Sequence, residues 1–162
     1  MYHRSYKKDS DKDPAEKCSA KQKAMDLLLY RTRTEKELYD KLIERGYSEE
    51  DSAEAIAYVK SFGYLNDENY AEYYVSSRGT QKGRSAIKRE LRDKGVDDEL
   101  IENALEELPD ETDTIRELLI KKAGAPHELD EKEFRRLYGF FLRRGFSGGA
   151  IMKTLKDYQR QD

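Results

Sequence analysis

One cysteine, three prolines, no tryptophan and no long apolar run are what this 162-residue chain goes without or nearly without. Cys18, alone in a polar, lysine-rich stretch, has no partner for an internal disulfide and no companion thiolate for a metal site. His3 and His127 stand far apart, so neither a zinc site nor any cofactor is expected. No apolar stretch reaches the roughly 20 residues of a membrane span, and no secretory signal opens the chain. A cytoplasmic protein without membrane contact is the expectation. There is no Gly-rich phosphate loop, nucleophile elbow or paired metal-ligand motif, which points away from an enzyme.

Charge is plentiful: 40% of residues are charged against 36% hydrophobic, with a net formal charge of only −3. It is unevenly placed. Residues 78–94 hold seven Lys and Arg against two acids, 97–113 hold nine acids and no base, and 135–160 hold seven bases against one acid. Such blocks can create strong local potentials on a nearly neutral molecule. So little apolar material suits several small cores better than one large one.

The segments 37–59, 86–108 and 136–158 align on Gly46, Gly95 and Gly145. Eight and four residues before each glycine stand Leu38 and Leu42, Ile87 and Leu91, Leu137 and Phe141, one face of a helix. After it come an apolar residue (Tyr47, Val96, Phe146) and a capping candidate (Ser48, Asp97, Ser147). Glycine can take the left-handed conformation that stops a helix, the apolar residue can fold back, and Ser or Asp can cap the next helix. Ile56 and Val59, Leu105 and Leu108, Leu155 and Tyr158 then continue a buried stripe. A further helix precedes each pair, near 21–31, 67–78 and 112–122, with caps at Asn66 and Asp110; Thr34 with Glu37 reads as a capping box, and Asp130 with Glu133 as a similar start. No strand pattern occurs.

The chain is therefore read as all-α: three tandem three-helix repeats of about 50 residues forming an elongated, curved array. Residues 1–20 read as a polar, mobile tail, followed by units at 21–65, 66–109 and 110–162. The third unit departs from the others in its longer run Ala123-Gly124-Ala125-Pro126-His127 and in Gly148-Gly149. With the apolar positions used within the units, a monomer is expected.

Arg84, Lys88 and Arg92 advance in steps of four and form a basic stripe, preceded by Arg78 and Lys82, with too few acids in the same helix to neutralise it. Arg135, Arg136 and Arg143 repeat the pattern around Gly139. Recurrence on comparable helices brings an anionic partner level with mere solubility as an explanation. Tyr70, Tyr73 and Tyr74 fit a packed face with Val75, one ring of which can stay available for stacking.

Phe62-Gly63-Tyr64-Leu65-Asn66-Asp67-Glu68-Asn69-Tyr70-Ala71, the segment Arg31-Thr32-Arg33-Thr34 leading into Glu37-Leu38, then Arg78, Lys82-Gly83, Ile87, Glu90-Leu91, Lys94-Gly95 and Leu142-Arg143-Arg144-Gly145-Phe146, together resemble the RecX family of bacterial regulatory proteins over about residues 24–158. The resemblance implies a modulator, usually an inhibitor, of the RecA recombinase in DNA repair, recombination and the SOS response, lying along the groove of the RecA filament on single- or double-stranded DNA. Arg31, Arg33, Arg78, Lys82, Arg84, Lys88, Arg92, Arg135, Arg136, Arg143 and Arg144 are then the expected filament or DNA contacts. The alternatives are a general nucleic-acid-binding helical repeat and a non-enzymatic assembly scaffold.

Overall fold

The computed structural model describes residues 18–160, which fold entirely as helix and turn. Most of the expected N-terminal tail, His3 included, lies outside the described residues. The helices are α1 (Ala20–Tyr30), α2 (Glu35–Glu44), α3 (Glu49–Ser61), α4 (Asp67–Arg78), α5 (Arg84–Asp93), α6 (Asp98–Glu106), α7 (Glu111–Ala123), α8 (Glu131–Arg143) and α9 (Gly148–Gln159). Each helix packs chiefly on others of its own triplet. No helix among the described residues is long and apolar enough to cross a membrane.

Local chemistry places the boundaries. Ser19, Thr34, Ser48, Asn66, Asp110, Asp130 and Ser147 each cap a helix by accepting a backbone N–H, and Thr34 with Glu37 completes the capping box. Asp97 is an exception to the expected caps: it occupies the position without a side-chain bond. Gly46, Gly95 and Gly145 have φ of 85°, 81° and 88°. At each, the following amide reaches back to close the helix, as Tyr47 N–H to Leu42 C=O, Val96 to Leu91 and Phe146 to Phe141.

Three separate apolar clusters result. Leu38, Leu42, Ile56 and Val59 centre the first, Ile87, Leu91, Ile101 and Leu105 the second, and Leu137, Phe141, Ile151 and Leu155 the third. Leu108 departs from the expected stripe. Helix α6 ends at Glu106, so Leu108 is only half-buried and lies over Gly79, where a β-carbon would collide with it. The two glycines that open α9 do not prevent its formation, since Ser147 caps it and Gly148 leaves room for the Tyr138 hydroxyl.

The corner glycines do more than stop helices. The carbonyl just before Gly95, on Lys94, accepts from Thr34 Oγ1 at 2.5 Å; the one before Gly145, on Arg144, accepts from Gly83 N–H at 2.9 Å. Thr34 and Gly83 are the N-cap residues of α2 and α5, so the middle helix of each unit docks its start on the corner of the next. A carboxylate at the start of the next unit completes each joint: Asp67 accepts from Glu35 N–H at 2.8 Å, and Glu111 from Arg84 N–H at 2.9 Å. Glu111 also takes Ser147 N–H at 2.9 Å, tying the second joint more fully.

The first joint carries a pH signature. Burial alone would raise the Glu37 carboxyl, but hydrogen bonds from Lys94 Nζ (2.9 Å) and Thr34 N–H (3.2 Å) outweigh it and hold the group below its usual range. A depressed carboxyl stabilises the fold above its unfolded value, and that stability is lost as pH falls through the folded value. Acid titration should therefore loosen the joint between α2 and α5 below the usual carboxylate range. Glu37→Gln should flatten that acid limb of the stability–pH profile, which urea melts at stepped pH would read.

Candidate partner-binding surface

The eleven arginines and lysines expected to meet a partner fall into two groups. In the middle unit α5 and α6 run antiparallel, which sets the basic stripe of one against acids of the other. Arg92 makes a bidentate pair with Asp98 (Nε–Oδ1 2.6 Å, Nη2–Oδ2 3.0 Å), and one turn earlier Lys88 pairs with Glu102. Another turn back, Arg84 donates to the carbonyls of Leu105 (2.8 Å), Leu108 (2.9 Å) and Pro109 (3.4 Å), closing the C-terminal end of α6. The stripe expected to stay unneutralised within its helix is thus matched by its neighbour.

Lys82 is likewise engaged. It pairs with Glu90, which also accepts from the Tyr74 hydroxyl at 2.6 Å. Burial opposes ionisation of Glu90, yet the Lys82 and Tyr74 bonds hold its carboxyl below the usual range; burial and that same bond push the Tyr74 hydroxyl up to about 12. In the third unit Arg135 pairs with Glu131, and Arg136 with Glu133 at 3.8 Å.

The second group makes no ion pair among the described residues. Arg31 is exposed at the C-cap of α1. Arg33, two residues on, is only 8% exposed. Arg78 ends α4 with its guanidinium over the Tyr74 ring at 5.6 Å. Arg143 lies along α8 above the bare backbone of Gly139, a mid-helix glycine that has no other close neighbour. Arg144 covers Phe140 at 4.6 Å and donates to Gln81 C=O at 3.2 Å, so it belongs partly to the joint. Burial first, then Arg31 and, against Glu37, the exposed Arg45 outside the expected set lower the affinity of Arg33 for its proton.

Aromatic side chains accompany the unpaired cations of the first unit. Tyr58, Phe62 and Tyr64 form a run with ring centroids 5.0 and 5.8 Å apart, all well exposed. Tyr70 and Tyr74 stack at 6.1 Å on the packed side of α4, whereas Tyr73, pointing away, is 73% exposed and is the ring left available. The exposed run at 58–64 had a visible sequence signal in Phe62-Gly63-Tyr64, because Gly63 (φ 73°) stops α3 and throws its neighbours outward.

A cleft of about 1040 Å³ opening between α4, α6 and α7 has the opposite character, with Glu72, Glu107, Asp113 and Glu117 on its walls and Arg116 the one base in its lining. It does not suit an anion. No group of three or more metal-ligating side chains is present among the described residues.

Family comparisons agree with this architecture. The first, second and third three-helix domains of RecX match residues 20–58, 66–105 and 110–155 respectively. The regulatory protein RecX of Amycolatopsis mediterranei is 38% identical over 88% of this chain and 84% of its own, and that of Mycolicibacterium smegmatis 39% identical over 79% and 73%. The crystal structure of RecX from Lactobacillus salivarius superposes with a TM-score of 0.73 at 29% identity, covering 86% of this chain and 94% of that one. Three matched domains, relatives matched over most of their length and a shared fold make this chain a member of the RecX family of regulatory proteins.

Proposed function

We propose that this chain binds the RecA filament on DNA and restrains its recombinase and ATPase activity. The observation that supports the reading most is the placement of the unpaired arginines: Arg31 and Arg33 in the first unit, Arg78 in the second and Arg143 in the third, on bodies joined in series. Contacts spread over successive units add through effective concentration, so individually weak ones give firm attachment to a repeating polymer. The paired stripe of α5 serves the fold, and the binding role moves to the unpaired set.

The test is DNA-dependent ATP hydrolysis by cognate RecA on single-stranded DNA, with this protein added below and up to equal amounts. Inhibition at substoichiometric protein is the expected result. Unchanged hydrolysis together with no filament binding would sink the reading.

A general nucleic-acid-binding role is favoured by the same arginines beside exposed tyrosines. It makes a separable prediction. If about four arginines neutralise phosphates, affinity for bare single-stranded DNA should fall with a log–log salt slope of about −3 and need no RecA.

A further inference from the structure

Arg33 is a cation that the fold has buried without an ion pair or a hydrogen-bond partner among the described residues. Its side chain lines a recess of about 180 Å³ between the α1–α2 link and the α3–α4 corner, with Leu28, Tyr64, Asn69, Tyr70 and Tyr73 around it. Its Nε is buried and has no hydrogen-bond partner. The acid nearest in sequence, Glu37, lies close enough to favour the charged guanidinium but makes no ion pair with it, its oxygens accepting from Lys94 Nζ and Thr34 N–H. Arg31 and Arg45 add positive potential from nearby. A desolvated guanidinium with an open N–H is unfavourable alone and strongly favourable once a carboxylate or phosphate reaches it.

The surroundings discriminate between those two anions. A phosphate track requires a row of lysines and arginines beside its stacking rings. Here Arg33 is the one cation in the lining, set among Leu28, Tyr64, Tyr70 and Tyr73 with Thr32, Asn66 and Asn69, and Tyr73 and Tyr64 are 73% and 56% exposed. A central arginine ringed by tyrosines is the composition of a protein–protein hot spot. We infer that this recess receives an aspartate or glutamate side chain, flanked by an apolar residue, from the surface of a protein partner. This rests on the reading above, in which that partner is the RecA filament; the carboxylate would pair with the outer nitrogens of the Arg33 guanidinium, Nε itself lying sealed beneath the surface, and the tyrosines around the recess would exclude water from the pair.

Full-length protein should be compared with Arg33→Gln and Tyr73→Ala for binding to cognate RecA filaments on single-stranded DNA and to the same DNA bare. Removing one member of a desolvated charge pair should weaken filament binding by about thirtyfold or more, and losing a rim aromatic by about tenfold. Bare-DNA binding should change less than about twofold, since no phosphate is involved. Both variants should melt as wild type does, because Arg33 Nε has no internal bond to lose and Tyr73 is exposed. Parallel loss on filament and bare DNA would make the recess a phosphate site and overturn the inference. So would Arg33→Gln binding filaments as well as wild type. Wild-type protein that binds no filament would overturn the underlying reading and this inference with it, a result distinct from either.

Discussion

Replacing Gly83 with alanine is expected to uncouple the third unit from the second while leaving both folded. Gly83 is the N-cap of α5 with φ −75° and ψ 163°, a conformation alanine adopts freely, so the local effect is only the modest loss of a poorer cap. The large effect lies across the joint. A β-carbon on Gly83 would fall within the carbonyl group of Gly145 and against the amide of Phe146, both backbone and both pinned by the left-handed turn at Gly145. No side chain can move aside to make room. Relief requires the seam to open, with loss of the bonds from Gly83 N–H to Arg144 C=O, from Ser85 Oγ to Gly145 C=O (2.8 Å) and from Arg144 Nη1 to Gln81 C=O.

Backbone overlap together with those bonds amounts to about 3 kcal/mol. Because each unit has its own apolar cluster, helix content should survive and the denaturation curve should split, the third unit melting first. Filament binding should fall with it, since attachment through several units needs their spacing fixed. Gly139→Ala is the control. There the only atoms a β-carbon would meet belong to the flexible end of Arg143, and the helix should gain about 1 kcal/mol. A single, unshifted transition for Gly83→Ala would mean that the joint carries no coupling.

Much of the architecture was legible because it is local. A helix face repeats every three to four residues, and a left-handed glycine followed by an apolar residue closes a helix from within six residues. Hence Leu38 and Leu42, Ile87 and Leu91, Leu137 and Phe141 could be placed in cores from spacing, and all are fully buried. The joints were not legible, because Glu111 meets Arg84 N–H across 27 positions and only after two corners are folded.

The charge blocks fall between these cases. Asp98 and Glu102 step by four, as do Lys88 and Arg92, and the intervening corner at Gly95 makes the two helices antiparallel; the pairing of 98 with 92 and 102 with 88 follows from that geometry. Counting charge along a single helix missed it, since the compensating carboxylates sit on the next one. Arg33 stood in the motif Arg31-Thr32-Arg33-Thr34, but its burial depends on the α3–α4 corner closing over it, a contact with no periodic trace.

The pairing changes what the basic stripe should do when removed. Arg84 holds three carbonyls at the end of α6 and lies where the helix dipole is negative, so its guanidinium reinforces a C-terminal end that the backbone closes only at Leu105 C=O. Arg84→Met keeps most of the stem and removes the donors, leaving the part-buried carbonyl of Leu108 without its partner and Leu105 C=O with only its backbone bond from Leu108 N–H. Charge-assisted bonds are worth about 1.5 to 3 kcal/mol each, and water recovers some of that, so a loss of about 3 kcal/mol is expected. Lys88→Met and Arg92→Met break pairs that are largely solvated and should leave stability close to that of wild type. Urea midpoints and filament affinity measured on the same three variants separate fold from function: if the stripe is structural, affinity falls only where the middle unit has unfolded. An Arg84→Met protein as stable as wild type, yet unable to bind filaments, would return this residue to the binding surface.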